Sequence, residues 1–163
     1  MSIERISDEE AEEKILKLEY RLAQIEQVEA CQDNYLSFVR SMWPEFIAGR
    51  HHKIMAEKLE RVASGELKRL IINMPPRHTK SEFASFLFPA WMIGKKPSMK
   101  IIQATHTTEL AVNFGRKVKN LLEREDYLEI FPDAALSADS KASGRWDTAR
   151  GGMYYGVLSL IHI

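Results

Sequence analysis

The residues best suited to chemistry sit together in one short run, Met74-Pro75-Pro76-Arg77-His78-Thr79-Lys80-Ser81. A phosphate-binding loop has the pattern G-x-x-x-x-G-K-[ST], between a strand and a helix. Lys80 and Ser81 match its last two positions, while Met74 and Thr79 occupy its glycines. In that setting several backbone N–H groups and the positive end of a helix dipole point into one hollow, which suits a polyphosphate. Lys80 would neutralise β- and γ-phosphate charge. The Ser81 hydroxyl would ligate Mg²⁺, a hard cation that takes oxygen ligands. Arg77 would add a bidentate donor beside the γ-phosphate, and Pro75, Pro76, His78 and Thr79 complete the wall. The plainer alternative makes Arg77 and Lys80 solvated loop cations. Thr79 is the departure that matters, because a side chain there stands where glycine lets the backbone approach closely.

Other chemistry finds little support. The histidines are His51, His52, His78, His106 and His162, and none shows the H-E-x-x-H spacing of a zinc site. His51 and His52 read as packing or helix-capping residues. There is no G-x-S-x-G elbow for a serine nucleophile. Cys31 is the only cysteine, so neither an intrachain disulfide nor a cysteine-based metal cage can form.

The elements that must position the loop follow from periodicity. Asp8 to about Glu29 reads as a helix with Ile15, Leu18, Leu22 and Ile25 along one side, capped by Ser7 or Asp8. That side either packs on the body or binds a partner. Asn34–Met42 suits a short helix stopped by Pro44, and His52–Val62 another. Arg69-Leu70-Ile71-Ile72-Asn73 reads as a strand buried on both faces. From Lys80 a helix carries Phe83, Phe86, Leu87, Ala90 and Trp91 as one stripe, kinked by Pro89 and ended by Gly94. Lys100–Ala104 reads as a second buried strand. A long helix follows Thr107 or Thr108, and residues 132–150 look loop-like. Gly151–Val157 looks like a strand. Two buried strands joined through a helix give a parallel, right-handed βαβ unit.

At 163 residues, 45% of them hydrophobic and 28% charged, the composition is that of one globular domain. The apolar run Phe83–Ile93 is broken by Ser85 and Pro89 and is too short to span a bilayer. The acidic start is unlike a signal peptide. Net charge is zero, but residues 1–30 carry −5 and the remainder +5. Such a body permits phosphate contact without arguing for it. Leu158–Ile163 reads LSLIHI, which matches a translated sequencing adapter and is set aside from fold reasoning.

Beyond the loop, an ordered set of residues resembles the large subunit of tailed-phage terminases, the DNA-packaging motor. The set runs over about residues 31–157. It includes Phe38, Trp43-Pro44, His51-His52, Arg69 through His78, Lys80-Ser81-Glu82, Pro89-Ala90-Trp91 and Gly94. Ala111, Phe114, Phe131-Pro132, Trp146, Thr148 and Gly151-Gly152 complete it. Terminases of this kind often read P-P-R-H-G-K-S, so Thr79 departs at one position.

The resemblance implies a three-layer αβα P-loop NTPase of RecA/ASCE type, with a parallel sheet that is incomplete here and is preceded by N-terminal helices. The expected organisation is an acidic amphipathic arm at 1–30, a truncated ATPase domain at 31–157 and the adapter at 158–163. Pro75 to Ser81 would bind ATP, Ser81 would hold Mg²⁺ and Arg77 would sense the γ-phosphate. The partners implied are double-stranded DNA, the phage portal protein and the small terminase subunit. A homo-oligomeric ring, docked on the procapsid in the host cytoplasm, is the implied assembly, without a membrane. The family's Walker B acids and its nuclease domain would lie beyond Gly151-Gly152. No Asp or Glu follows Asp147 in this sequence, so the chain is expected to bind nucleotide weakly and not to turn it over. Open sheet edges and poor solubility are the further expectation. Two other readings compete. One is a superfamily 2 helicase-like translocase. The other is a non-catalytic nucleic-acid-binding module using Arg116, Lys117, Lys119 and Arg124.

Overall fold

The computed structural model describes residues 8–140 and 142–159. In chain order the helices are α1 (Asp8–Asp33), α2 (Tyr35–Met42) and α3 (Arg50–Ala63). A π-helical stretch, Glu82–Leu87, then runs into α4 (Phe88–Lys95). Strand β1 (Lys100–Thr105), helices α5 (Thr108–Leu122) and α6 (Glu125–Ile130), and strands β2 (Arg145–Asp147) and β3 (Met153–Leu158) follow. The cap expected at Ser7 or Asp8, and residues 160–163 of the adapter reading, lie outside the described side chains. Leu158 itself ends β3, opposite Thr105.

The chain is α/β, but its sheet is smaller than expected and mixed. The order is β1-β3-β2, with β1 parallel to β3 and β2 antiparallel to it. The parallel crossover joins β1 to β3 through α5, whose buried Ala111, Phe114 and Val118 face the sheet. Gly156 on β3 permits this contact, since a Cβ there would lie 2.9 Å from the Ala111 carbonyl oxygen. β2 falls inside the expected loop 132–150, because three residues are too few to show an alternation.

The strand expected at Arg69–Asn73 does not form. The segment takes no place in the sheet, and Ile71 is 85% exposed. Leu70, Ile72 and Met74 are partly buried against the core, and the residues between them face outward. The segment is therefore half-buried with a period of two, not buried on both faces. β1 repeats the lesson: Ile101 is half-buried while Ile102 is 68% exposed beside exposed Tyr155 of β3. Among the described residues helices cover one face of the sheet only. The expected three layers reduce to two among the described residues, since no helix there covers the face that carries Ile102 and Tyr155.

The core lies among the helices. Tyr35 and Phe38 of α2, Phe83, Trp91, Tyr127 and Phe131 form a buried aromatic cluster. Rings of this size each remove about 150–250 Å² from water, worth roughly 4–6 kcal/mol at 25 cal/mol per Å². Their polar ends are satisfied. Trp91 Nε1 donates to the Cys31 carbonyl at 2.9 Å and the Tyr127 hydroxyl to that of Ala90 at 2.8 Å. Burial pushes the Tyr35, Tyr127 and Tyr154 hydroxyls above the ordinary phenol range, so each remains a donor.

Asn34 caps α2, its side chain accepting from the Ser37 N–H at 2.8 Å. Gly94 lies within α4 instead of ending it. Its missing side chain lets the Phe131 ring pack on the helix, where a Cβ would stand 2.4 Å from a ring carbon. Pro89 acts one turn earlier than a simple kink. It has no N–H to offer, and the helix ahead of it widens to π geometry, with the Phe88 N–H reaching the Phe83 carbonyl. The same carbonyl accepts from the Tyr35 hydroxyl.

Candidate phosphate-loop site

Met74 to Ser81 connects the extended run to a helix that begins at Lys80. The first link between loop and helix is the Phe83 N–H to the Thr79 carbonyl, at 2.9 Å. Two residues of the loop have left-handed backbones, Arg77 at φ 63° and Thr79 at φ 55°. This region favours glycine and costs other L-residues roughly 1–2 kcal/mol. For a β-branched threonine it is a rare conformation. Thr79 thus keeps the backbone that the loop pattern assigns to glycine, with a side chain added.

That side chain is anchored. The Gly49 N–H donates to His52 Nδ1 at 3.0 Å, which places the proton of the neutral ring on Nε2. Nε2–H then donates to Thr79 Oγ1 at 2.6 Å, and the Thr79 hydroxyl donates to the His78 carbonyl at 2.7 Å. His51 Nε2 stands 3.1 Å from the same His52 nitrogen. His78 Nδ1 donates to the Pro76 carbonyl at 2.9 Å. His52 therefore caps α3, as its position suggested, and also ties α3 to the loop. Burial and the neighbouring His51 both hold its pKa below the usual imidazole value, which favours the neutral form. Sequence spacing gave no sign of this tie, since His52 and Thr79 are 27 residues apart.

The groups expected to meet phosphate are free. Arg77, Lys80 and Ser81 make no side-chain hydrogen bond or ion pair, and the N–H groups of residues 77–81 meet no hydrogen-bond acceptor, among the described residues. The first turn of any helix leaves such donors open. Arg77 and Ser81 are exposed and Lys80 is half-buried. Pro75, Pro76 and His78 are exposed along the same turn. Just beyond, Glu82 pairs with Lys117 of α5 at 2.6 Å and fixes the new helix against the sheet's covering layer.

An anion with several oxygens fits this donor set: N–H groups at a helix start, one ammonium and one guanidinium. Among the described residues no cluster of three or more His, Cys, Asp or Glu could hold a metal by itself. A Mg²⁺ held by the Ser81 hydroxyl would take its other ligands from phosphate and water.

The basic face of α5 is occupied differently. Lys117 is paired with Glu82, and Lys119 donates to the Ser140 carbonyl at 2.7 Å. Arg124 lies beyond the end of α5, caps α6 and pairs with Asp126 while staying exposed, and Arg116 is exposed with no ion pair among the described residues. A separate groove of about 710 Å³, lined by residues including Gln24, Val28, Ser41 and Glu129, includes no loop residue. Cys31 is buried, and desolvation raises its thiol pKa against a hydrogen bond from Ser41, so it is not an activated nucleophile. No helix among the described residues is long and apolar enough to cross a membrane. No protein-family model matches the chain, and no curated protein or solved structure matches it.

Proposed function

We propose that Met74–Ser81 is a triphosphate-binding turn, and that the chain is part of an ATPase motor of the terminase large-subunit kind, which packages double-stranded viral DNA. The observation that carries the reading is the left-handed backbone at Thr79, immediately before a helix whose first side chains are the unpartnered Lys80 and Ser81. In this reading the open N–H groups orient the phosphates, Lys80 neutralises their charge and Ser81 holds Mg²⁺. Bound nucleotide supplies the phosphoanhydride whose cleavage drives the motor. Arg77, exposed on the same turn, would meet the terminal phosphate.

The unpaired run Arg69–Asn73 weighs against it, because a phosphate loop normally leaves a sheet strand. In the motor as a whole, the Walker B acids that the resemblance implies would polarise the attacking water. Double-stranded DNA, the portal and the small terminase subunit belong to the motor as a whole. The alternative of a nucleic-acid module is not favoured, since Lys117 and Lys119 of α5 are engaged within the chain and Arg124 lies off that helix, paired with Asp126.

Equilibrium titration with ATP and Mg²⁺ tests the reading. Weak binding is expected, stronger for ATP than for AMP, and reduced about tenfold or more in Lys80→Ala, as loss of one charged hydrogen bond predicts. Steady phosphate release is not expected. Equal binding of ATP by the wild type and Lys80→Ala, or ATP binding no tighter than AMP, would overturn it.

A further inference from the structure

Helix α1 projects an apolar seam that the body leaves uncovered. Val28, Cys31 and Gln32 seat its C-terminal end. Cys31 is buried, its carbonyl takes the Trp91 indole, and Gln32 donates to the Ile130 carbonyl at 2.6 Å. Ile15, Leu18, Leu22 and Ile25 lie about a quarter-turn round the helix from this contact. They are 55, 64, 56 and 54% exposed. With Ala11 they follow the 3-4 spacing of a coiled-coil seam: Ile15 and Leu22 at a, Ala11, Leu18 and Ile25 at d.

The flanking charges indicate what covers the seam. Every e position is acidic, namely Glu12, Glu19 and Glu26. The g positions beside the apolar layers are the basic Lys14 and Arg21. All five are exposed, and among the described residues none is engaged in an ion pair. In a parallel, in-register pair of these helices a g residue faces the e′ residue of the next heptad. Lys14 then meets Glu19 of the second copy, and Arg21 meets Glu26. An antiparallel pair would set g against g′ and e against e′, which here means like charges throughout.

We infer that α1 is a self-association helix, forming a parallel, in-register coiled coil with a second copy of this chain. The inference does not depend on the phosphate-loop reading. Leu16 and Tyr20, although exposed, sit at the outer b and f positions and take no part.

Sedimentation equilibrium of the full chain tests it. The expected mass rises with concentration from the 18.8 kDa protomer toward an oligomer. Leu18→Glu holds the chain at the protomer mass, and Leu16→Ala with Tyr20→Ala leaves association unchanged. Lys14→Glu alone, which sets Glu against Glu19, weakens association severalfold, and adding Glu19→Lys restores it. Under mild oxidation Ala11→Cys gives a disulfide-linked dimer, because parallel register puts the two residues side by side. These side chains are solvent-facing, so unchanged helicity by circular dichroism separates lost association from lost folding. A protomer at all concentrations, association indifferent to Leu18→Glu, or no rescue by the charge swap would overturn the proposal.

Discussion

The aromatic cluster around Trp91 and the loop at Lys80 meet at Phe83, yet they differ in almost every physical respect. In the cluster each ring has ring neighbours, and each buried hydroxyl or indole N–H has an acceptor. In the loop two non-glycine residues hold left-handed backbones, and the backbone N–H groups of residues 77–81 have no acceptor among the described residues. The first region is organised for the chain's own stability. The second holds strain and open donors, and the proposed phosphate site rests on them. One hydrogen bond, from His52 to Thr79, lets the stable region hold the strained one.

Trp91→Ala sharpens the contrast most. Removing a fully buried indole should cost about 3–5 kcal/mol, read as a lower urea midpoint, and is enough to unfold a marginal domain. Lys80→Ala should change stability by under about 0.5 kcal/mol, because the ammonium has no partner to lose. A large loss of stability in Lys80→Ala would erase the distinction between the two regions.

The link between them gives the next effects. Thr79→Val keeps the backbone cost and loses the hydroxyl, so it should destabilise by about 1 kcal/mol. Thr79→Gly loses the same bond but relieves the left-handed backbone, and should be the more stable of the two in urea unfolding. Acid should act on the same contact. His52 has a depressed pKa in the folded chain, so the unfolded chain takes up the proton first as pH falls. Stability from this group is therefore complete above the ordinary imidazole value and declines as pH drops from there toward the folded pKa. His52→Gln should flatten that decline between pH 7.5 and 5.5. A small effect is also expected for Lys117→Ala. Its partner Glu82 is about as exposed as Lys117 itself, and such pairs contribute about 0.2–1 kcal/mol.

Much of the first region was legible in the sequence. The three- and four-residue spacing of Phe83, Leu87, Ala90 and Trp91 marks the buried helix face, and Thr107 caps α5 where the sequence put a cap. The loop's position between an extended run and a helix at Lys80 was legible too. Its sheet was not. Apolar content at Arg69–Asn73 and at β1 suggested burial on both faces, but hydropathy cannot report whether a covering layer or ladder partner is present. Ile71 and Ile102 are exposed for want of one. The π-helical turn ahead of Pro89 and the His52–Thr79 bond depend on tertiary neighbours and carry no periodic signal. On α1 the apolar spacing was visible, and only the structure shows that the body leaves it bare.

The central claim is that the open N–H groups at the start of the Lys80 helix receive phosphate oxygens. Backbone amide resonances, followed by NMR during addition of ATP with Mg²⁺, address it directly. The account predicts the largest shifts at residues 77–82 in the wild type and their loss in Lys80→Ala. Shifts spread elsewhere, or unchanged by that substitution, would contradict it.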